Sequence, residues 1–262
     1  MPGLGYHADV VTTYVVLAAT AFVTSALSAV LGMGGGSLLL VTTGGFLSHA
    51  ETISAHATVQ VFNLSVRTLA FWRHVHWPTI LRFSAGSVPG ALVGGWLLWA
   101  VGSPAASEPY LKGSIGLYIL AVTFLPRSSD QTASGREWEW TVLGLAAGAS
   151  GLFVGAVGPL IAPLFVRHAI LKEKLIATKA LCQAILHVIK LPILLAVRDF
   201  RLVQFSLLLA LMVAATVPGT LLGKWLLGRV PERVFLRLYQ AALVITAGKL
   251  LVVDGVIVLL RP

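Results

Sequence analysis

Val88-Pro89-Gly90-Ala91-Leu92-Val93-Gly94-Gly95-Trp96-Leu97-Leu98 recurs as Val217-Pro218-Gly219-Thr220-Leu221-Leu222-Gly223-Lys224-Trp225-Leu226-Leu227, with eight of the eleven positions identical. The chain is therefore written twice. Working upstream, the run Gly32-Met33-Gly34-Gly35-Gly36 aligns with Gly155-Ala156-Val157-Gly158-Pro159, and the same offset sets His56 on Lys179, Gln60 on Gln183 and Arg67 on Lys190. Two halves follow, residues 1–126 and 139–262, joined by a polar loop at 127–138.

The solvent of this chain is a bilayer. It is 57% hydrophobic and 11% charged, with a mean hydropathy of +0.88, outside the range of soluble domains. Val10–Leu31, Ala55–Phe71, Ile80–Val101, Leu202–Leu227 and Val234–Val253 approach or exceed the roughly 20 apolar residues that span hydrocarbon, and Leu111–Leu125, Thr141–Val154 and Pro159–Val166 are shorter. The expected fold is an all-α polytopic membrane protein. Its net charge of +9 does not indicate nucleic acid, because the cations are scattered singly with no basic, aromatic-interleaved surface. Met1–Asp9 has no Lys or Arg and so lacks the charged region of a cleavable signal peptide. Cys182 is the only cysteine, which excludes an intramolecular disulfide and a multi-cysteine metal site. No cofactor is expected.

Two apolar segments carry a polar stripe: His56, Gln60, Asn63 and Arg67 in the first half, and Lys179, Gln183, His187 and Lys190 in the second. Steps of three and four place each set on one helical face. Neither Ser54–Phe71 nor Leu175–Val197 contains an acid. A cation inside a bilayer needs a partner or water, and an anionic substrate would supply one. Arg67 also lies close enough to Phe71 to snorkel, and Lys179 is near enough to Lys172 and Lys174 to be interfacial. His56 and His187 are either satisfied polar contacts or proton carriers, since imidazole titrates near neutrality.

Four glycines in five residues make Gly32–Gly36 a poor helix. Irregular backbone at membrane depth lines a cavity or is buried in protein, and the half-helix after a break presents N–H groups that hold anions. Gly34, Gly35, Gly36 and Gly158 are the candidates for this work. Pro89, Gly90, Gly94 and their copies read instead as a helix-contact face with a kink.

Duplicated halves with glycine-interrupted segments are the pattern of secondary transporters. If each break turns the chain back as a hairpin, the copies are inverted. One side then collects Arg73, Arg82, Arg127, Arg136, Arg167, Lys172, Lys174, Arg229, Arg233 and Arg237, leaving Lys112, Arg198, Arg201 and Arg261 opposite. Four plain crossings per half would split the charges evenly. The positive-inside rule favours the hairpins, with the N-terminus outside.

The residues Ala29–Leu40 and Ala55–Asn63, with Ser150–Pro163 and Ala177–Gln183, resemble the TauE/SafE family of sulfite exporters and related anion permeases. The segment Ser150–Gly155 is close to that family's second-half signature, although Val157 and Pro159 replace glycines usual there. The resemblance implies export of sulfite, another sulfur oxyanion or an organosulfonate across a cytoplasmic membrane; the coupling ion expected from His187 and His56 is the proton. A carboxylate carrier and an anion channel are the alternatives. An intramembrane enzyme is not expected: the chain has no H-E-x-x-H or G-x-S-x-G motif, and its spans lack paired acids.

Overall fold

A computed structural model describes residues 3–47, 49–101, 108–124, 136–152, 157–198 and 205–252. Every regular element among them is helical: α1 (Gly3–Leu31), α2 (Gly35–Gly44), α3 (His49–Ala70), a 3₁₀ turn at Trp72–His74, α4 (Trp77–Val101), α5 (Glu108–Phe124), α6 (Glu139–Gly151), α7 (Gly158–Arg167), α8 (Lys172–Arg198), α9 (Ser206–Leu227) and α10 (Glu232–Gly248). Four stretches, Val10–Leu31, Lys172–Pro192, Ser206–Leu227 and Glu232–Val252, are long and apolar enough to cross a membrane. Apolar side chains also face outward, with Leu81 70%, Ile245 72% and Trp99 83% exposed. A soluble surface does not present such a belt; this is a multi-pass membrane protein.

The first glycine run reverses the chain. Gly32 and Gly34 take φ values of 70° and 88°, a left-handed region that costs side-chain-bearing residues about 1–2 kcal/mol. The Cα of Gly35 then lies so close to Thr24 O and Ser28 Oγ of α1 that a Cβ would collide with both. Leu39 of α2 joins Leu17 and Ala21 in one apolar cluster, so α2 runs back along α1. The second half reverses likewise. Glu139, at the start of α6, meets the end of α7 through Arg167 (3.1 Å) and His168 (3.1 Å). Trp140 packs on Phe165 with ring centroids 4.9 Å apart. Residues 153–156, which include the expected break glycine Gly155, lie outside the described residues. The described helices on either side of each break thus run back along one another.

Small residues set the remaining contacts. Gly86, Gly90 and Gly94 of α4 pack on Thr141, Leu145 and Ala149 of α6, so these helices run parallel. Gly219 and Gly223 of α9 pack on Phe22 and Ala26 of α1 in the same sense. This is the contact face expected of the repeated stretch. Lipid is as apolar as leucine, so close backbone approach and van der Waals contact, not hydrophobic burial, hold such pairs together. At the centre α3 meets α8: His56 lies beside His187 and Leu64 beside Ala180 and Ala184. Rising numbers on one helix meet falling numbers on the other, so these two copies of one sequence element run antiparallel. Several hydroxyls inside the apolar body bond back into their own helices, as Thr58 does to Ser54 O (2.9 Å) and Thr68 to Leu64 O (2.8 Å), which leaves these satisfied without water.

Charged groups gather where α3, α7 and α9 end and where α4, α6, α8 and α10 begin. There Arg82 pairs with Glu137. The backbone N–H of His76 donates to Thr178 Oγ1 at 2.9 Å. Partial burial, then Lys174 and Arg82, hold the His76 imidazole below its usual pKa.

Candidate functional site

Between the breaks and the α3–α8 crossing lies a cavity of about 30 Å³, room for roughly two waters. Its lining includes Gly34, Gly36, His56, Gln60, Arg67, Gly158, Gln183 and His187. Eight of the twelve expected site residues are therefore brought together. Gly35, Asn63, Lys179 and Lys190 are not among the lining residues. Ser28 and Ser37 line the cavity too, and nothing in their sequence context distinguishes them from the other helix serines.

Two half-helices begin here. The cap positions Gly34 of α2 and Val157 of α7 offer no side-chain hydrogen bond, so neither cap side chain occupies the first-turn N–H groups of its helix. Both starts carry the positive end of a helix dipole toward the same space. Pro159 has no N–H, which makes the second start the weaker donor.

Side chains complete the donor set. Asn63 Nδ2 donates to Gln60 Oε1 (2.9 Å). With its oxygen engaged, Gln60 turns its Nε2 group toward Gly36, where a Cβ would collide with it. Gln183 holds the matching place, its Nε2 standing 2.7 Å from where a Gly158 Cβ would lie. Asn63 is itself fixed from two sides. Its Oδ1 accepts from Arg67 Nη2 (3.3 Å) and lies 2.7 Å from Ser25 Oγ, which in turn lies 2.8 Å from Thr220 Oγ1 and 3.0 Å from Thr216 O. Asn63 thus orients both Gln60 and Arg67 from behind the cavity.

Arg67 is only 4% exposed and does not snorkel. Its Nε, like His56 Nδ1 and His187 Nδ1, is buried without a hydrogen-bond partner among the described residues. Buried polar atoms are seldom left so. The two imidazoles lie edge to face with centroids 6.2 Å apart, and Lys190 is within electrostatic reach of both. Lys179 is not interfacial: it is 1% exposed and donates to Gly32 O at 2.7 Å. Cys182 is buried in the main apolar cluster. Uncapped N–H groups, two amides and a guanidinium make a set of donors matched to an oxyanion.

No curated protein and no solved structure matches the chain. The family model described as sulfite exporter TauE/SafE matches residues 17–250, nearly the whole chain and both halves of the cavity. The chain belongs to the TauE/SafE sulfite exporter family of membrane transporters.

Proposed function

We propose that this protein is a secondary transporter that exports a small anion, with sulfite or another sulfur oxyanion as the favoured substrate, across a cytoplasmic membrane. The observation that carries this reading is the convergence of two uncapped half-helix starts with Arg67, Gln60 and Gln183 on one cavity. Guanidinium binds oxyanions in bidentate fashion, and Arg67 has its Nε unpartnered. In proteoliposomes, sulfite loaded inside is expected to drive labelled sulfite inward against its gradient, whereas a channel gives no such counterflow. Equal counterflow with a small carboxylate would move the substrate assignment to the rival class.

The transport cycle we propose is alternating access between halves 1–126 and 139–262, inverted with respect to each other and each entering the membrane as a re-entrant hairpin. Support comes from the antiparallel run of α3 and α8 and from the two chain reversals. The end bearing Arg73, Arg82, Arg136, Arg167, Lys172, Lys174, Arg229, Arg233 and Arg237 would face the cytoplasm. Single cysteines placed at residues 168–174 in a Cys182→Ala background should resist an impermeant thiol reagent added outside intact cells, and ready labelling there would sink this orientation. His56 and His187 are the proposed proton carriers, supported by their unpartnered Nδ1 atoms and by the place of both residues in the cavity lining.

A further inference from the structure

A broken helix has two electrical ends. The start of α2 is positive and receptive to an anion, but only a few residues away the end of α1 is negative. Gly32, the first residue past α1, still donates its N–H back to Ser28 O (2.9 Å), so its carbonyl belongs to that negative end. Left alone, it would oppose an anion in the cavity that Gly32 also lines.

Lys179 meets that carbonyl from the other half of the chain, with Nζ 2.7 Å from Gly32 O. Its surroundings are built to hold it there. The Tyr239 ring lies 5.9 Å from the ammonium, and the Tyr239 hydroxyl is anchored by donating to Ala162 O of α7 (3.1 Å). Leu175 and Ile176, one turn earlier on α8, press on Gly32 from the same side. A cation at a helix C-terminus is favourable, and more so away from water. Lys179 is absent from the cavity lining, so it acts through the break rather than on the substrate.

We propose that Lys179 is a positioning residue that caps the broken end of α1 across the repeat boundary. It fixes Gly32–Gly34 in the conformation that frees the N–H groups of α2, and it cancels the negative end of α1 beside the anion. Only the second role rests on the anion reading of the cavity.

The test uses the full chain in nanodiscs and proteoliposomes with two independent readouts: hydrogen exchange of the amides in residues 33–38, and the KM for sulfite. Lys179→Met should speed exchange in that segment by about tenfold or more without a matching rise in α4 or α9, and should raise KM about tenfold with a smaller change in kcat. In Lys179→Ala, ethylammonium at millimolar concentration should restore both, while leaving the Met variant unchanged because its side chain fills the space. Wild-type exchange rates in the Met variant, or no rescue of the Ala variant, overturn the proposal. Lys179→Gln keeps a donor without the charge, so it covers the case in which the Met variant does not fold. It should retain slow exchange yet bind sulfite more weakly, and a wild-type KM would remove the electrostatic role. If the wild-type protein moves no sulfite, the proposed function falls while the exchange data still decide the cap.

Discussion

Arg67→Ala is expected to lower sulfite transport in proteoliposomes by about two orders of magnitude, the effect of removing roughly 2.7 kcal/mol of charge-assisted binding. Among the described cavity-lining residues Arg67 is the one lysine or arginine. Its neighbours Gln60 and Gln183 are neutral and cannot replace it. Arg67→Lys should recover only part of the loss, since an ammonium makes a point contact where a guanidinium makes two parallel ones. The folded fraction should stay high in both variants, because the bonds from Asn63 to Gln60 and Ser25 persist without the arginine. A transport rate in Arg67→Ala within a factor of two of wild type would remove Arg67 from the binding site.

The second large effect is on folding. A methyl group on Gly90 would strike the carbonyl of Leu145, and one on Gly148 would strike the carbonyl of Ser87. Neither obstacle is a flexible side-chain end, so α4 and α6 must move apart. Overpacking of this kind destabilises by about 1–3 kcal/mol per site, and the lost contact is what holds two helices together in lipid. Gly90→Ala combined with Gly148→Ala should therefore reduce the monodisperse fraction severely and lower the thermal midpoint in detergent by many degrees. Gly248→Ala is the control, since its Cβ would meet nothing within 4 Å. It should be neutral or slightly stabilising. A double variant as stable as that control would contradict the α4–α6 packing.

Much of this arrangement was legible because a bilayer leaves few reasons for certain residues. A four-glycine run has no use in a lipid-facing helix, and it marked the first reversal. Polar residues three and four apart in an apolar window marked α3 and α8, whose stripes do face each other. What sequence could not supply was reach. Lys190 aligns with Arg67 in the repeat, yet only Arg67 lines the cavity; duplication equates positions along the chain, not where long side chains end. Lys179 read as interfacial or substrate-binding because its partner, Gly32 O, lies 147 residues away. Ser25 was invisible for a similar reason. A helix serine ordinarily bonds to its own backbone, whereas this one reaches Asn63 and Thr220 on two other helices.

The pairing of α1 with α9 also has a consequence in time. Ser25 contacts Thr216 O and Thr220 Oγ1, 191 and 195 residues further along, and the Phe22 and Ala26 backbone receives Gly219 and Gly223. At a synthesis rate of about 5–20 residues per second, α1 enters the membrane some 10–40 seconds before its partner exists. Through that interval its small-residue face meets lipid or a chaperone. A chain stopped short of α9 would never bury that face, so the earliest helix to be made is among the last to be secured.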